Sequence, residues 1–458
     1  MPFLKHQYVF YTPDELRAAG LYHHTEACSL TEVQTYQPQR GRPAPPPKTY
    51  HYCIRHQGCF AFPKGYAADH MGWGRSAPDL RVTDGMRWNP DLRFAGALKS
   101  KLRQDVAVEA AYNALEKTPH RGCTLSLPCG YGKTVCGLAL ASILRRKTFV
   151  LVHTLFLARQ WEDRIKQFIP GARVRQIKSM ANFDEDKGCE FGIGLMQTVK
   201  NMSSSLFSNY GFLIIDEAHH LPCQTLQDCL PKFNSRYTLA LSATPTRIDG
   251  LADYIFWSVG RIAYQITPAY PNVQVLKADY HKRDGFSAGD HLLNFDTRIS
   301  TDPDRDERIA RIIERCLVDT RRRVLVLTLR RQHAKNLADA IASRAPPAAK
   351  VHLMLGGDKA ATSAPPDDTR VIVATYQLVQ EGFDCPGLNT LVLAMPRGDL
   401  VQSIGRITRV GGEDDHESNT VKPWVIDIVD QCAEGRRKSK TRRAHYARLK
   451  MPSQFAQW

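Results

Sequence analysis

The chain has 458 residues, 43% of them apolar, which is enough for two or three packed domains and excludes a disordered chain. Its formal net charge of +16 and pI near 9.3 draw it toward polyanions, nucleic acid first among them, because phosphate contacts release condensed counterions. No apolar stretch is long enough to cross a bilayer, residues 1–11 lack the apolar core of a secretory signal, and twelve irregularly spaced cysteines without a Cys-x-x-Cys pair argue against a disulfide framework. An intracellular protein without a membrane partner is expected.

Residues 37–47 carry successive prolines that fix an extended backbone and remove donors, so they read as a linker or surface arm. Residues 50–89 mix aromatic, glycine and histidine residues without a period and predict a small accessory domain or a β-rich extension. His51, Cys53, His56 and Cys59, with Cys28, are metal-ligand types, but their spacing matches no pattern of known coordination geometry. From Leu98 the pattern changes. A helix over 105–117 leads into a glycine loop, and short apolar runs at 148–152, 212–215 and 237–241 each end in a polar motif, as strands of a parallel α/β sheet do. After an irregular charged stretch at 281–306, a helix at 307–319 and strands at 324–329, 370–374, 390–394 and 423–428 predict a second such unit. The expected division is 1–95 accessory region, 96–270 first α/β domain, 271–300 linker, and 301–458 second α/β domain with a basic terminal helix.

The loop Leu127-Pro128-Cys129-Gly130-Tyr131-Gly132-Lys133-Thr134 precedes an apolar helix at 135–144. Gly130 and Gly132 let backbone amides approach phosphate oxygens, Lys133 meets the β- and γ-phosphates, and Thr134 ligates magnesium. Leu127 stands where the general pattern has glycine. Four apolar residues, 212–215, run into Asp216-Glu217-Ala218-His219-His220, so both carboxylates are expected at a buried strand end. Asp216 would hold Mg2+ and Glu217 would orient the water that attacks ATP. His219 and His220 lack a second spaced ligand set, which favours coupling or packing over metal binding. Arg406 and Arg409, three apart on a predicted helix with Gln402 and Gly405, would point two guanidinium groups at a γ-phosphate.

In this order the motifs resemble the superfamily 2 helicases and translocases of the DEAD/DEAH type over about residues 98–430. Leu-Pro-Cys-Gly-x-Gly-Lys and Asp-Glu-Ala-His-His are most similar to the repair and transcription group that includes poxvirus transcript-release helicases and restriction-type motors. The resemblance implies two RecA-like domains with ATP between them and nucleic acid across both. It also implies an adenine-reading role for Gln104, nucleic-acid contacts at Thr154, Thr198 and Thr375, coupling roles for His219, Ser242 and Thr244, and nucleotide contacts at Gly382 and Asp384.

The expected activity is ATP-dependent movement along, or unwinding of, nucleic acid, with DNA favoured over RNA and partners in transcription, repair or replication. A non-translocating clamp and the motor subunit of a restriction-like complex stand as alternatives. The basic tail at 435–450 reads equally as a phosphate-holding segment or as a packed helix with one solvated basic side.

Overall fold

The computed structural model of the protein describes residues 1–33, 46–74, 78–81, 85–128, 130–178, 188–218, 223–243, 250–282, 295–355, 366, 368–380, 385, 387–397, 400–408 and 421–458. They fall into two units, Met1–Ile266 and Thr267–Trp458.

The first unit opens with short strands: β1 Phe3–Lys5, β2 Tyr8–Tyr11, β3 Ser29–Thr31, β4 Thr49–His51, β5 Ile54–His56 and β6 Cys59–Pro63. In the order β1-β2-β6-β5 four of them form an antiparallel sheet, and β3 pairs with β4. Next come β7 Gly122–Ser126, β8 Thr148–Val152, β9 Val174–Ile177, β10 Phe191–Leu195, β11 Phe212–Ile215, β12 Tyr237–Ser242 and β13 Ile262–Gln265. They make one parallel sheet in the order β13-β7-β12-β11-β8-β10-β9. β8 and β11 are buried along their whole length, so they read as unbroken apolar runs rather than alternating ones. The carboxyl ends of β7, β12, β11 and β8 lie side by side, and the glycine loop, Ser242, Asp216 and Thr154 stand at or just past them in that order.

The second unit repeats the architecture with β14 Gln274–Tyr280, β15 Val324–Thr328, β16 Lys350–Met354, β17 Thr369–Thr375, β18 Thr390–Leu393, β19 Trp424–Asp430 and β20 Ser453–Phe455. All are parallel, in the order β16-β17-β15-β18-β19-β14-β20. Two tandem RecA-like α/β domains are therefore present, as expected. The expected linker at 271–300 is a different matter, because it contains β14 and the helix Phe295–Ser300, and β14 sits between β19 and β20.

The N-terminal region packs directly on the first parallel sheet. Leu4, Val9, Tyr52 and Phe62 share one apolar core with Phe149, Leu213, Ile215 and Tyr254 of the parallel-sheet layer. Tyr52 stacks on Tyr254 with ring centroids 4.0 Å apart. A Cβ on Gly65 would sit 2.5 Å from the carbonyl oxygen of Phe256, so only glycine permits that approach. Polar groups close the same seam: the Gln7 side-chain amide donates to the carbonyl oxygen of Ser235 at 3.0 Å, and Lys64 Nζ donates to Thr238 Oγ1 at 2.9 Å. Among the described residues no three His, Cys, Asp or Glu side chains converge as a metal site. Cys28 and Cys53 are free thiols, Cys53 pushed up to about 12 chiefly by burial. Among the described residues no helix is long and apolar enough to cross a membrane.

Near Lys64, His120 is buried and its imidazole is lowered to about 3, first by burial and then by the Lys64 and Arg81 charges. Between about pH 3 and 6.5 the unfolded chain binds a proton that folded His120 refuses, so stability must rise with pH through that window. Urea-unfolding midpoints should accordingly fall on acidification from pH 6.5, and His120→Gln should flatten that slope. An unaltered slope in the variant would show that another group governs acid sensitivity.

Candidate active site

The glycine loop closes on the amino end of the helix Lys133–Leu144, where the helix dipole favours an anion. Gly130 and Gly132 have φ of 85° and 78°, a left-handed backbone that accounts for glycine at both places. Leu127 is 1% exposed and its amide donates to the carbonyl oxygen of Ser242 at 2.9 Å, so the residue that departs from the glycine pattern serves as core between β7 and β12. Gln104 begins the helix Gln104–Lys117 and is buried against the loop. Its carboxamide donates to the carbonyl oxygen of Tyr131 at 3.1 Å and accepts from the Lys99 amide at 2.9 Å. A Cβ on Gly132 would lie 2.3 Å from Gln104 Nε2. The glutamine and the loop are thus built as one piece.

Asp216 follows β11 and is 5% exposed. Its amide donates to the carbonyl oxygen of Leu151, which holds the strand end against β8. Trp161 Nε1 donates to Asp216 Oδ2 at 2.7 Å, and the Glu217 amide donates to Oδ1 at 2.9 Å. Burial, then the Glu217 carboxylate, push Asp216 up to about 6, against the pull of Lys133 and Trp161. Glu217 has φ of 46°, in the left-handed region where a non-glycine side chain is strained. This turn brings Glu217 Oε1 to 3.2 Å from Lys133 Nζ, so one ion pair joins the glycine loop to the acidic strand end.

Thr134 lies in the first turn of the helix after the loop, so its hydroxyl and the Asp216 carboxylate are hard oxygen donors of the kind Mg2+ takes. Ser242 ends β12, is 1% exposed, and pairs in register with Ser126 of β7. Thr154 caps the helix Leu155–Phe168, its hydroxyl accepting from the Leu157 amide at 3.3 Å, and Thr198 lies in the helix Met196–Val199. In the second unit Thr375 ends β17 beside Thr328 of β15, and Gln402 and Arg406 are buried. The helix there is only Val401–Gly405, with Arg406 as its cap. Residues 407 and 408 are not helical, and the expected helical face shared by Arg406 and Arg409 falls partly outside the described residues. Arg409, His219, Thr244, Gly382 and Asp384 lie outside the described residues. The sequence reading gave Trp161 no role, and an indole in an amphipathic helix carries no periodic signal that it will meet a carboxylate.

The chain is similar to known proteins in sequence and in fold. The family model described as "Type III restriction enzyme, res subunit" matches residues 98–247. A protein of Acanthamoeba polyphaga mimivirus, L396, named for an ATP-dependent RNA helicase, is 26% identical over 407 residues, covering 85% of this chain and 74% of that one. The DNA 3'-5' translocase XPB2 of Sulfurisphaera tokodaii is 27% identical over 214 residues, 40% of this chain and 47% of that protein. In fold, the chain is similar to S. cerevisiae Dbp5 bound to RNA and ADP BeF3, with a TM-score of 0.54 at 16% identity over 77% of this chain and 88% of that one.

The bond from Trp161 to Asp216 yields a direct expectation. Trp161→Phe removes the indole donor while keeping an aromatic ring in the core, and loss of such an outer-shell partner lowers activity by about 10- to 100-fold. Nucleoside-triphosphate turnover should fall within that range, and wild-type turnover would show that Asp216 keeps its place without the bond.

Proposed function

We propose, for a chain that belongs to the superfamily 2 helicases of the repair and restriction type and is an ATP-dependent helicase-type nucleoside-triphosphatase, that it moves along or unwinds nucleic acid, DNA in preference to RNA. The observation that carries the reading is the Lys133 to Glu217 ion pair at 3.2 Å, beside an Asp216 carboxylate fixed by Trp161. These are the charges that phosphoryl transfer to water requires. The DNA preference draws support from the match to a restriction-enzyme subunit model and from a relative named as a DNA translocase. The net charge of +16 suits any phosphate backbone.

On this reading the loop amides and Lys133 bind the β- and γ-phosphates, and Gln104 offers its second amide hydrogen to the adenine edge. Thr134 and Asp216 would hold Mg2+, which when bound neutralises charge on the phosphate oxygens. Glu217, released from Lys133 as phosphate takes the ammonium, accepts a hydrogen bond from the attacking water and orients it. Arg406 acts on the γ-phosphate, with Gln402 positioning it. Thr154, Thr198 and Thr375 contact the nucleic-acid backbone, and Ser242, next in space to the loop strand, couples hydrolysis to that grip. An intact catalytic acid favours turnover over passive clamping, and partners in transcription, repair or replication follow from the same reading.

ATP hydrolysis by the purified chain should rise on adding nucleic acid, with single-stranded DNA, duplex DNA and RNA compared at one salt concentration. Hydrolysis indifferent to all three would overturn the proposal, and a larger response to RNA would reverse the stated preference. Glu217→Gln should keep ATP binding and lose about 10²- to 10⁴-fold in turnover. Arg406→Ala should lose about 10³-fold or more, as removal of an arginine finger does.

A further inference from the structure

The helix Ala433–Arg448 is held to the second unit by a buried polar anchor. Arg442 Nε donates to Asp427 Oδ1 at 2.8 Å, and Tyr446 Oη donates to Asp427 Oδ2 at 3.0 Å. Asp427 belongs to β19 and is fully buried. At Gly435 a Cβ would stand 2.1 Å from the carbonyl oxygen of Asp430, so the first turn also lies hard against the strand end. The rotation of the helix about its own axis is thereby fixed.

That rotation decides what faces outward. At 3.6 residues per turn, Arg436, Lys440 and Arg443 fall within about 60° of arc, with Arg437 and Arg448 to one side. All five are exposed. Among the described residues Arg436, Lys440 and Arg443 have no ion-pair partner, and the one acid of the helix, Glu434, is taken by Arg298 and Arg437 at 3.7 Å each. The five cations extend over about 18 Å of helix axis.

A second observation comes from the sheet. Strand register places Asp427, Lys277 and Phe455 in one row across β19, β14 and β20. Lys277 Nζ stands 5.4 Å from the centroid of the Phe455 ring, and Phe455 is 62% exposed. Two strand spacings, about 10 Å, separate Phe455 from the residue on which the basic helix is anchored. The Arg443 charge acts on Lys277, the residue over the Phe455 ring, so the ring lies on the side of this stripe. An exposed aromatic ring near a row of cations can hold a single strand, the cations on phosphate and the ring stacked on a base.

We propose that the outer face of this helix, with Phe455, binds the phosphodiester backbone of single-stranded nucleic acid as a second contact surface, separate from Thr154, Thr198 and Thr375. The inference rests on the reading of the protein as a nucleic-acid motor. Arginine dominates the stripe, and its planar fork suits phosphate. A membrane-surface helix would show bulky apolar residues beside its cations, whereas the exposed apolar residues here are alanines 433, 444 and 447.

The test measures binding of a fluorescent 20-nucleotide single strand by the full chain across a salt series. The variant R436E/K440E/R443E should bind at least 10-fold more weakly, and R436Q/K440Q/R443Q should flatten the log–log salt slope by about 2, three phosphate contacts at about 0.7 each. Phe455→Ala should weaken single-strand binding about fivefold or more while sparing blunt duplex. Wild-type affinity and slope in both triple variants would overturn the proposal, as would a loss seen only on phosphatidylserine vesicles, which would assign the face to a lipid surface. A wild-type chain that binds no nucleic acid at all would sink the motor reading itself, whereas strong wild-type binding with unaffected variants would sink only this surface.

Discussion

A carboxylate taken out of water is costly unless donors meet it, and Asp216 is nearly so placed at the end of β11. The geometry around it follows from that need. The indole of Trp161 and the amide of Glu217 satisfy its two oxygens, and these bonds bind the helix Leu155–Phe168 and the turn after β11 to a single point. The turn forces Glu217 into the left-handed region, and that strained backbone directs its carboxylate to Lys133. Lys133 starts the helix whose loop is clamped by Gln104. Displacing Asp216 would therefore disturb Trp161, Glu217, Lys133 and the glycine loop together.

The second unit meets the same constraint with a different set of pairs. Arg305, fully buried, donates to Asp430 at 2.6 Å and 3.1 Å and also to the carbonyl oxygen of Ala394. His333 lies 2.8 Å from Asp306 and 2.7 Å from Thr328 Oγ1, which ties the helix Arg331–Ala342 to the end of β15. Arg442 and Tyr446 share Asp427. In a sheet covered on both faces a buried polar group needs a partner, and Asp430, Asp306 and Asp427 are each met by a directional bond. Directional bonds fix orientation, which apolar packing alone does less sharply. The C-terminal helix therefore presents one defined basic face rather than a loosely attached charged tail.

The first 81 residues contribute to the core of the first unit. Parallel strands need cover on both faces, and on one face part of that cover comes from the antiparallel β1-β2-β6-β5 sheet and its aromatic residues. Burying Lys64 in that seam costs charge: burial first, then Arg81, holds its ammonium well below the ordinary lysine range, and Thr238 supplies the acceptor that makes the position tolerable. The β-rich N-terminal strands thus form one layer of the first unit.

Local chemistry was legible where a residue type has one physical use. Glycines before Lys133, four apolar residues before Asp216, and the strand-like runs at 148–152 and 237–241 each announce their structure, because backbone reach and burial alone dictate them. β10 escaped notice since its Gly192 and Gly194 lower strand propensity, and only the fold shows that Tyr210 and Phe149 occupy the space their side chains would need. β14 was hidden in an expected linker because nothing local says that a strand will insert between two others distant in sequence. The sequence by itself determined the two α/β units, the glycine loop before a helix and the paired acids at a buried strand end, all consequences of short-range pattern. Tertiary structure alone decided that Trp161 would hold Asp216, that the N-terminal strands would join the first core, and which side of the basic helix would face outward, since each depends on groups brought together across tens to hundreds of residues.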